Sequence, residues 1–204
     1  GVVGGTNALS RLDIRDAGAV TLAATTTVGD GVAGGVDVGS SAAVTSITVN
    51  GNLDTTDADA LGAAATAGEI TLNSAAITLG ATVTLDTDDN DGTDGVITIG
   101  TAAGDSLDAT TAGTEGLTID SGGDGGGGNL TVNSDIGGTT PLGAVTLNST
   151  GGTLLWNGDI ATRNGNVDFS GASGATIDVT GNDGSDFVID TDDNTDTTAA
   201  GGID

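Results

Sequence analysis

Repetition is the feature of this sequence that most limits the folds it can adopt. A tetrapeptide of the form Thr-aliphatic-Asn-Gly/Ser occurs four times, at Thr48–Gly51, Thr71–Ser74, Thr131–Ser134 and Thr146–Ser149. In each copy we expect the aliphatic side chain to face inward and the Asn to turn the chain and bond to its neighbours. Such a repeat predicts an array of similar structural units.

A longer block also returns along the chain. Thr82–Asn90, with the sequence TVTLDTDDN, is similar to Asp186–Asn194, with the sequence DFVIDTDDN, about 104 residues later. We therefore expect residues 1–204 to be a single continuous repeat array with open ends. The imperfect repeats would be about 100 residues long, at approximately 1–90 and 91–194.

Short strands separated by turns are predicted along most of the chain. Val, Ile, Leu and Thr gather into alternating runs, and most runs are bounded by Gly, Asn, Asp or Ser. No helical period is sustained, so the predicted fold class is all-β. The candidate strands are Val20–Leu22, Val44–Val49, Glu69–Leu72, Ala76–Leu79, Thr82–Leu85, Val96–Ile99, Leu117–Ile119, Leu130–Val132, Ala144–Leu147, Thr153–Trp156, Asn166–Phe169, Thr176–Val179 and Phe187–Ile189.

Two all-β architectures fit strands that are this short and frequent. One is a β-solenoid, and the alternative is a series of tandem β-sandwich domains of about 100 residues. A sandwich core is usually filled by large side chains that include aromatics, but this chain has one Trp, two Phe and no Tyr. The narrow interior of a solenoid can be filled by Val, Ile, Leu, Ala and Thr. The composition therefore favours a β-solenoid, with roughly 20 residues per coil and about ten coils.

Charge and the choice of side chains narrow the functions that the chain can perform. The chain has 29 Asp and Glu residues but only three Lys and Arg residues, which gives a net charge of −26. Nucleic acid would therefore be repelled. No run of about 20 apolar residues exists to cross a bilayer, so no membrane insertion is expected. The chain has no His, Cys or Tyr, and its three cations are all Arg. We therefore predict that it is not an enzyme.

Acidic clusters are the features that look most like binding sites. Their hard oxygen ligands suit Ca²⁺, although the spacing after Asp86 does not match an EF-hand. Gly181–Ile189 is similar to one nonapeptide of the calcium-binding RTX repeats. Two interpretations stay open, namely solvated turns rich in Asp and Asn, or ligands of bound Ca²⁺. The candidate ligands are Asp86, Asp88, Asn90, Asp183, Asp186, Asp190 and Asp192.

Three segments resemble the repeat regions of very large filamentous-haemagglutinin-like bacterial surface proteins. They are Leu130–Asn133, Ile136–Leu147 and Asn157–Gly171, and the resemblance extends over most of the chain. It implies a right-handed parallel β-helix that is exported to the cell surface and serves adhesion or filament building. The secretion domain that such adhesins carry at their N-terminus is not seen in this sequence.

The expected function is a structural repeat segment of an extracellular bacterial filament or surface adhesin, which forms a stiff acidic rod. Its partners would be copies of itself or adjacent repeats, joined end to end, and a ligand on a host or neighbouring cell surface. Two alternatives are a calcium-stabilised carbohydrate- or cell-binding module and tandem sandwich linker domains.

Overall fold

The chain folds into strands that stack in three sheets. The computed structural model describes residues 9–22, 26–27, 35–40, 44–55, 67–88, 93–102, 104–122, 127–179, 186–192 and 201–204. Within these ranges the chain forms twenty strands and no helix. The all-β prediction is therefore confirmed.

Consecutive strands enter the three sheets in turn. The first sheet contains β1 (Arg11–Ile14), β4 (Gly35–Val38), β7 (Glu69–Leu72), β10 (Ile97–Ile99), β13 (Leu130–Val132), β16 (Thr153–Trp156) and β19 (Thr176–Asp178). The second contains β2 (Ala19–Leu22), β5 (Ser46–Val49), β8 (Ala76–Leu79), β11 (Ser106–Ala109), β14 (Asp135–Ile136), β17 (Ile160–Ala161) and β20 (Ile189–Asp190). The third contains β3 (Thr26–Thr27), β6 (Leu53–Asp54), β9 (Val83–Asp86), β12 (Gly116–Asp120), β15 (Ala144–Asn148) and β18 (Val167–Gly171).

Each strand pairs with the strand three places later in the chain, and all the pairings between these strands are parallel. We call three consecutive strands, one in each sheet, a rung. In the first sheet, for example, Ile97 lies between Ile70 of the preceding rung and Leu130 of the following rung. The antiparallel pairing of a β-sandwich is not found among the described residues, so tandem sandwich domains do not fit them.

The rungs are longer and fewer than the sequence suggested. The first and second sheets have seven strands each and the third has six, so the described residues form six complete rungs and a seventh rung with two strands, rather than about ten coils. Bonded partners in neighbouring rungs are 24 residues apart at Asn133 and Asn157, and 36 residues apart at Asn166 and Gly202. The expectation of roughly 20 residues per coil is therefore wrong, because loops of different length connect the strands.

A single apolar core lies between the three sheets. In β9, Val83 and Leu85 are buried while Thr84 is partly exposed, and the same alternation recurs in the neighbouring strands. Burying each such aliphatic side chain contributes roughly 1.5 to 3 kcal/mol relative to leaving it in water. Trp156 is also buried and meets the Phe169 ring edge to face, with the ring centroids 6.2 Å apart.

The repeated tetrapeptide ends strands in all three sheets. Its aliphatic residues are buried, as predicted. Two of its Asn side chains reach a neighbouring rung of the first sheet, since Asn73 Nδ2 donates to the Gly39 carbonyl at 3.0 Å and Asn133 Oδ1 accepts from Asn157 Nδ2 at 2.9 Å. The prediction that these Asn residues bond to their neighbours is therefore confirmed for them. The buried aliphatics are Val49, Leu72, Val132 and Leu147.

Candidate functional site

The most distinctive surface feature is a row of polar residues on the outward face of the third sheet. Asp54, Asp86, Asp120 and Asn148 lie in register on β6, β9, β12 and β15. Each follows a buried aliphatic residue, so the alternation of the strand turns its side chain outward. We call these four residues the acidic row.

The acidic row holds three carboxylates at the spacing of parallel strands, about 4.8 Å. Burial raises the pKa of the Asp86 carboxyl to about 6, and the negative charges of Asp120, Asp54 and Asp88 raise it as well. The Asp88 backbone N–H donates to Asp86 Oδ1 at 3.1 Å, and this hydrogen bond lowers the pKa of Asp86. At the end of the row, Asn148 Nδ2 donates to Asp120 Oδ2 at 3.2 Å.

A buried hydroxyl residue follows each member of the acidic row. These residues are fully buried at the same corner of successive rungs. Their backbone N–H groups donate to the next rung, with Thr55 bonding to the Asp86 carbonyl at 2.9 Å and Thr87 to the Asp120 carbonyl at 2.8 Å. The four hydroxyl residues are Thr55, Thr87, Ser121 and Ser149.

Both Thr residues of this set form two hydrogen bonds with a Gly that lies farther along the chain. Thr87 Oγ1 donates to the Gly95 carbonyl at 3.1 Å, and the Gly95 N–H donates to the Thr87 carbonyl at 3.0 Å. Thr55 and Gly68 form the same pair of bonds at 2.7 and 3.1 Å. We call this arrangement a Thr–Gly clasp. It pairs the backbone groups at the base of the loop, so the strand after the loop can resume the same stacking.

The same clasp explains the long sequence repeat. Thr191 Oγ1 donates to the Gly201 carbonyl at 3.0 Å, and the Gly201 N–H donates to the Thr191 carbonyl at 3.2 Å. The Asp before Thr191 accepts from the N–H of Asp192 at 3.0 Å, as Asp86 accepts from Asp88. The two copies nevertheless occupy different sheets, since β9 belongs to the third sheet and β20 to the second. The two copies of the repeated block therefore share a Thr–Gly clasp and the Asp before it, and they do not share a place in one sheet.

The predicted calcium ligands that lie in the described ranges belong to two separate places in the fold. Asp86 belongs to the acidic row and Asp88 lies two residues after it, whereas Asp190 ends the last strand of the second sheet and Asp192 lies two residues after that. Asp186 is exposed beside that strand. Asn90 and Asp183 lie outside the described residues. In the described part of the chain, no group of three or more acidic side chains is arranged so that it could hold one metal ion.

Sequence reasoning missed two members of the acidic row, Asp54 and Asp120. A signal for them exists in the sequence, because Leu-Asp-Thr at residues 53–55 and 85–87 is matched by Ile-Asp-Ser at 119–121. The spacing between these copies is irregular, which hides their common position in the fold.

Chemically, the acidic row can take up protons or attract cations. Its carboxylates have no His, Lys or Tyr to act with them, because the chain contains none. That the protein is not an enzyme stays a prediction.

Within the described ranges no helix is long and apolar enough to cross a membrane. Comparisons with protein-family models, with curated proteins and with solved structures find no match to the chain.

Proposed function

We propose that this chain is a right-handed β-solenoid that serves as a structural repeat segment of an extracellular bacterial filament or surface adhesin. The observation that carries the proposal is the in-register parallel pairing of every third strand around one aliphatic core. A chain that winds through three sheets in turn and places each rung on the last has the strand order of a solenoid.

Mechanical stiffness follows from the direction of the hydrogen bonds. In stacked rungs the backbone N–H and C=O groups pair along the stacking direction, so bending would strain three sheets at once. The first and last of the seven rungs are separated by six spacings of about 4.8 Å, or roughly 29 Å along the axis. The surface of such a rod is acidic, because 29 carboxylates face three Arg residues. This charge keeps rods apart laterally and leaves association through their ends.

Calcium enters the proposal as a counter-ion of the acidic row. The carboxylates of Asp54, Asp86 and Asp120 repel one another, and a divalent cation in an extracellular medium would relieve that repulsion. The described residues do not assemble an enclosed calcium site, so we propose weak binding. Calcium added to the metal-free chain should raise its unfolding midpoint, and an unchanged midpoint would exclude this part of the proposal.

The alternative is a calcium-stabilised carbohydrate- or cell-binding module. It is supported only by the acidic residues, since the chain offers few aromatic side chains for sugar stacking. Screening the folded chain against a glycan panel, with and without calcium, distinguishes this binding module from a structural segment. Calcium-dependent binding of one glycan class would favour the module, and no binding would favour the structural segment.

Electron microscopy of the native material tests the main proposal. A continuous thin rod with an axial repeat of about 4.8 Å is the expected result. A string of separate beads of roughly 40 Å would contradict it. Surface location is tested separately, by mild proteolysis of intact source cells followed by mass spectrometry, which should release peptides of this chain.

A further inference from the structure

A stack of buried hydroxyl residues lies inside the corner between the third and the first sheet. Each member directly follows a residue of the acidic row, which is in register on β6, β9, β12 and β15, so one member lies in each of four successive rungs. All of them are 0% exposed. Their hydroxyl groups are therefore closed off from solvent, and each needs a partner inside the protein. The members, which we call the hydroxyl stack, are Thr55, Thr87, Ser121 and Ser149.

The loop base at Ser121 has the same backbone arrangement as the loop base at Thr87. Gly95 and Gly128 lie at equivalent places, two residues before the first in-register pair of β10 and β13. The Gly128 N–H donates to the Ser121 carbonyl at 2.7 Å, as the Gly95 N–H donates to the Thr87 carbonyl at 3.0 Å. Gly128 is therefore the counterpart of the Gly that completes a Thr–Gly clasp.

The two Ser residues of the hydroxyl stack differ from the two Thr residues in their side-chain bonds. Thr55 and Thr87 each donate from Oγ1 to a Gly carbonyl. The Oγ atoms of Ser121 and Ser149 are buried and form no hydrogen bond with the described residues. The loop base at Ser121 thus keeps the backbone bond of the clasp and lacks the hydroxyl bond.

The same two Ser residues leave room beside their hydroxyl groups. Ser lacks the γ-methyl group that Thr brings into this corner, and the two Ser residues are neighbours in the hydroxyl stack. Adjacent strands are about 4.8 Å apart, a distance that two hydrogen bonds of about 2.8 Å span through one oxygen atom. A buried water molecule needs roughly two to four polar partners and about 30 Å³ of space.

We propose that one buried water molecule lies between Ser121 and Ser149 and completes the clasp at Ser121. The water accepts a hydrogen bond from each Ser hydroxyl and donates one to the Gly128 carbonyl, which is the counterpart of the acceptor in the clasp of Thr87. About three hydrogen bonds are usual for a buried water. The hydroxyl stack then closes its loops in two ways, directly where the residue is Thr and through water where it is Ser.

The protons of the two hydroxyl groups favour water over a metal ion at this place. A Ser hydroxyl carries one proton to donate, and water offers two acceptor positions for the two protons. A metal ion would bind the hydroxyl oxygens and leave both protons without an acceptor. The inference concerns the interior of the stack and does not depend on the proposed function.

Oxygen-17 relaxation dispersion of water tests the inference, because it counts the water molecules that a protein holds for long times. The full chain is compared with the variant Ser121→Thr with Ser149→Thr. In this variant two methyl groups fill the corner, and residue 121 can donate directly to the Gly128 carbonyl. We expect the number of long-lived water molecules to fall by one.

A matched control and a second variant make the experiment specific. Ser173→Thr is the same substitution at an exposed position and should leave the number of long-lived waters unchanged. Ser121→Ala with Ser149→Ala removes both hydroxyl groups and adds no atoms, so it serves if the corner does not accept two Thr residues. It should also lose one water, since sites lined by apolar groups stay dry. Circular dichroism establishes that each variant keeps its strands.

The same number of long-lived waters in a folded Thr or Ala variant would overturn the inference. A crystal structure of the unaltered chain gives an independent answer. We expect one ordered water within about 3 Å of both Ser oxygens. Direct hydrogen bonds between the two Ser side chains, or from each of them to a carbonyl, would overturn the inference as well.

Discussion

Asp86 lies in register with Asp120 on the neighbouring strand of the third sheet, so two carboxyl groups face outward one strand spacing apart. Burial and the nearby carboxylates raise the pKa of Asp86 from 3.8 to about 6. The native state therefore binds a proton between pH 4 and 6 that the unfolded chain has released. Stability contributed by this group is present below about pH 4 and is lost as the pH rises through about 6.

Asp86→Asn should therefore stabilise the protein at neutral pH. The amide keeps the shape of the side chain and removes the charge that the folded state disfavours. After a discount for solvent screening, we expect a gain of about 1 to 2 kcal/mol at pH 7 and no gain at pH 3.5. Urea unfolding across this pH range, in the absence of divalent cations, measures the effect.

Asp168→Asn on β18 is the matched control for that experiment. Hydrogen bonds from the Ser170 hydroxyl and backbone N–H lower the pKa of Asp168, so its charged form is the one that the folded state favours. Its substitution should give no stabilisation at pH 7. Equal gains for Asp86→Asn and Asp168→Asn would show that general charge reduction, and not the acidic row, sets the pH dependence.

The Thr–Gly clasp predicts that a buried hydroxyl holds the base of a loop. Thr87→Val keeps the shape of the side chain but removes the donor to the Gly95 carbonyl. That carbonyl then lies buried with one bond fewer, and we expect a loss of about 1 to 2 kcal/mol in the free energy of unfolding. Thr84→Val, on the outward face of the same strand, should change stability by less than about 0.5 kcal/mol. Similar losses at the two positions would argue against the clasp.

The backbones of two neighbouring rungs lie so close together at Gly165 that this position should not accept a side chain. A Cβ at this position would lie 1.3 Å from the Gly143 carbonyl oxygen, so Gly165→Ala must push two rungs apart. We expect a loss of at least about 2 kcal/mol. Gly18→Ala is the control, because a Cβ there meets nothing within 4 Å. If thermal unfolding found the two variants equally stable, the stacking distance at Gly165 would be wrong.

Much of the strand content could be predicted from the sequence, because a buried strand needs alternating aliphatic residues. All the candidate strands overlap observed strands. The strands that were not predicted are short or contain Asp, which is uncommon in strands. In β4, with the sequence GVDV, Val36 and Val38 are buried and Asp37 faces outward. The other unpredicted strands are β1, β3, β6, β11, β14 and β17.

The site was harder to predict than the strands, because it is formed by residues from different rungs. Asp86 was found in a local run of acids, but its partners Asp54 and Asp120 come from neighbouring rungs through parallel pairing. Loops of unequal length separate these positions, so no constant spacing marks them in the sequence. The repeated block does not reveal the acidic row either, since its two copies lie in different sheets.

Distances along the second sheet test the central claim, which is that the rungs stack in order along one axis. The chain has no Cys, so spin labels can be placed at Thr21→Cys and at one of Asp108→Cys, Ala161→Cys or Asp190→Cys. Electron–electron double resonance, with each labelled chain diluted in unlabelled chain, should give separations that rise by about 4.8 Å per rung. The backbone separations from Thr21 should be about 14, 24 and 29 Å in that order. Separations that do not increase in this order would contradict the account.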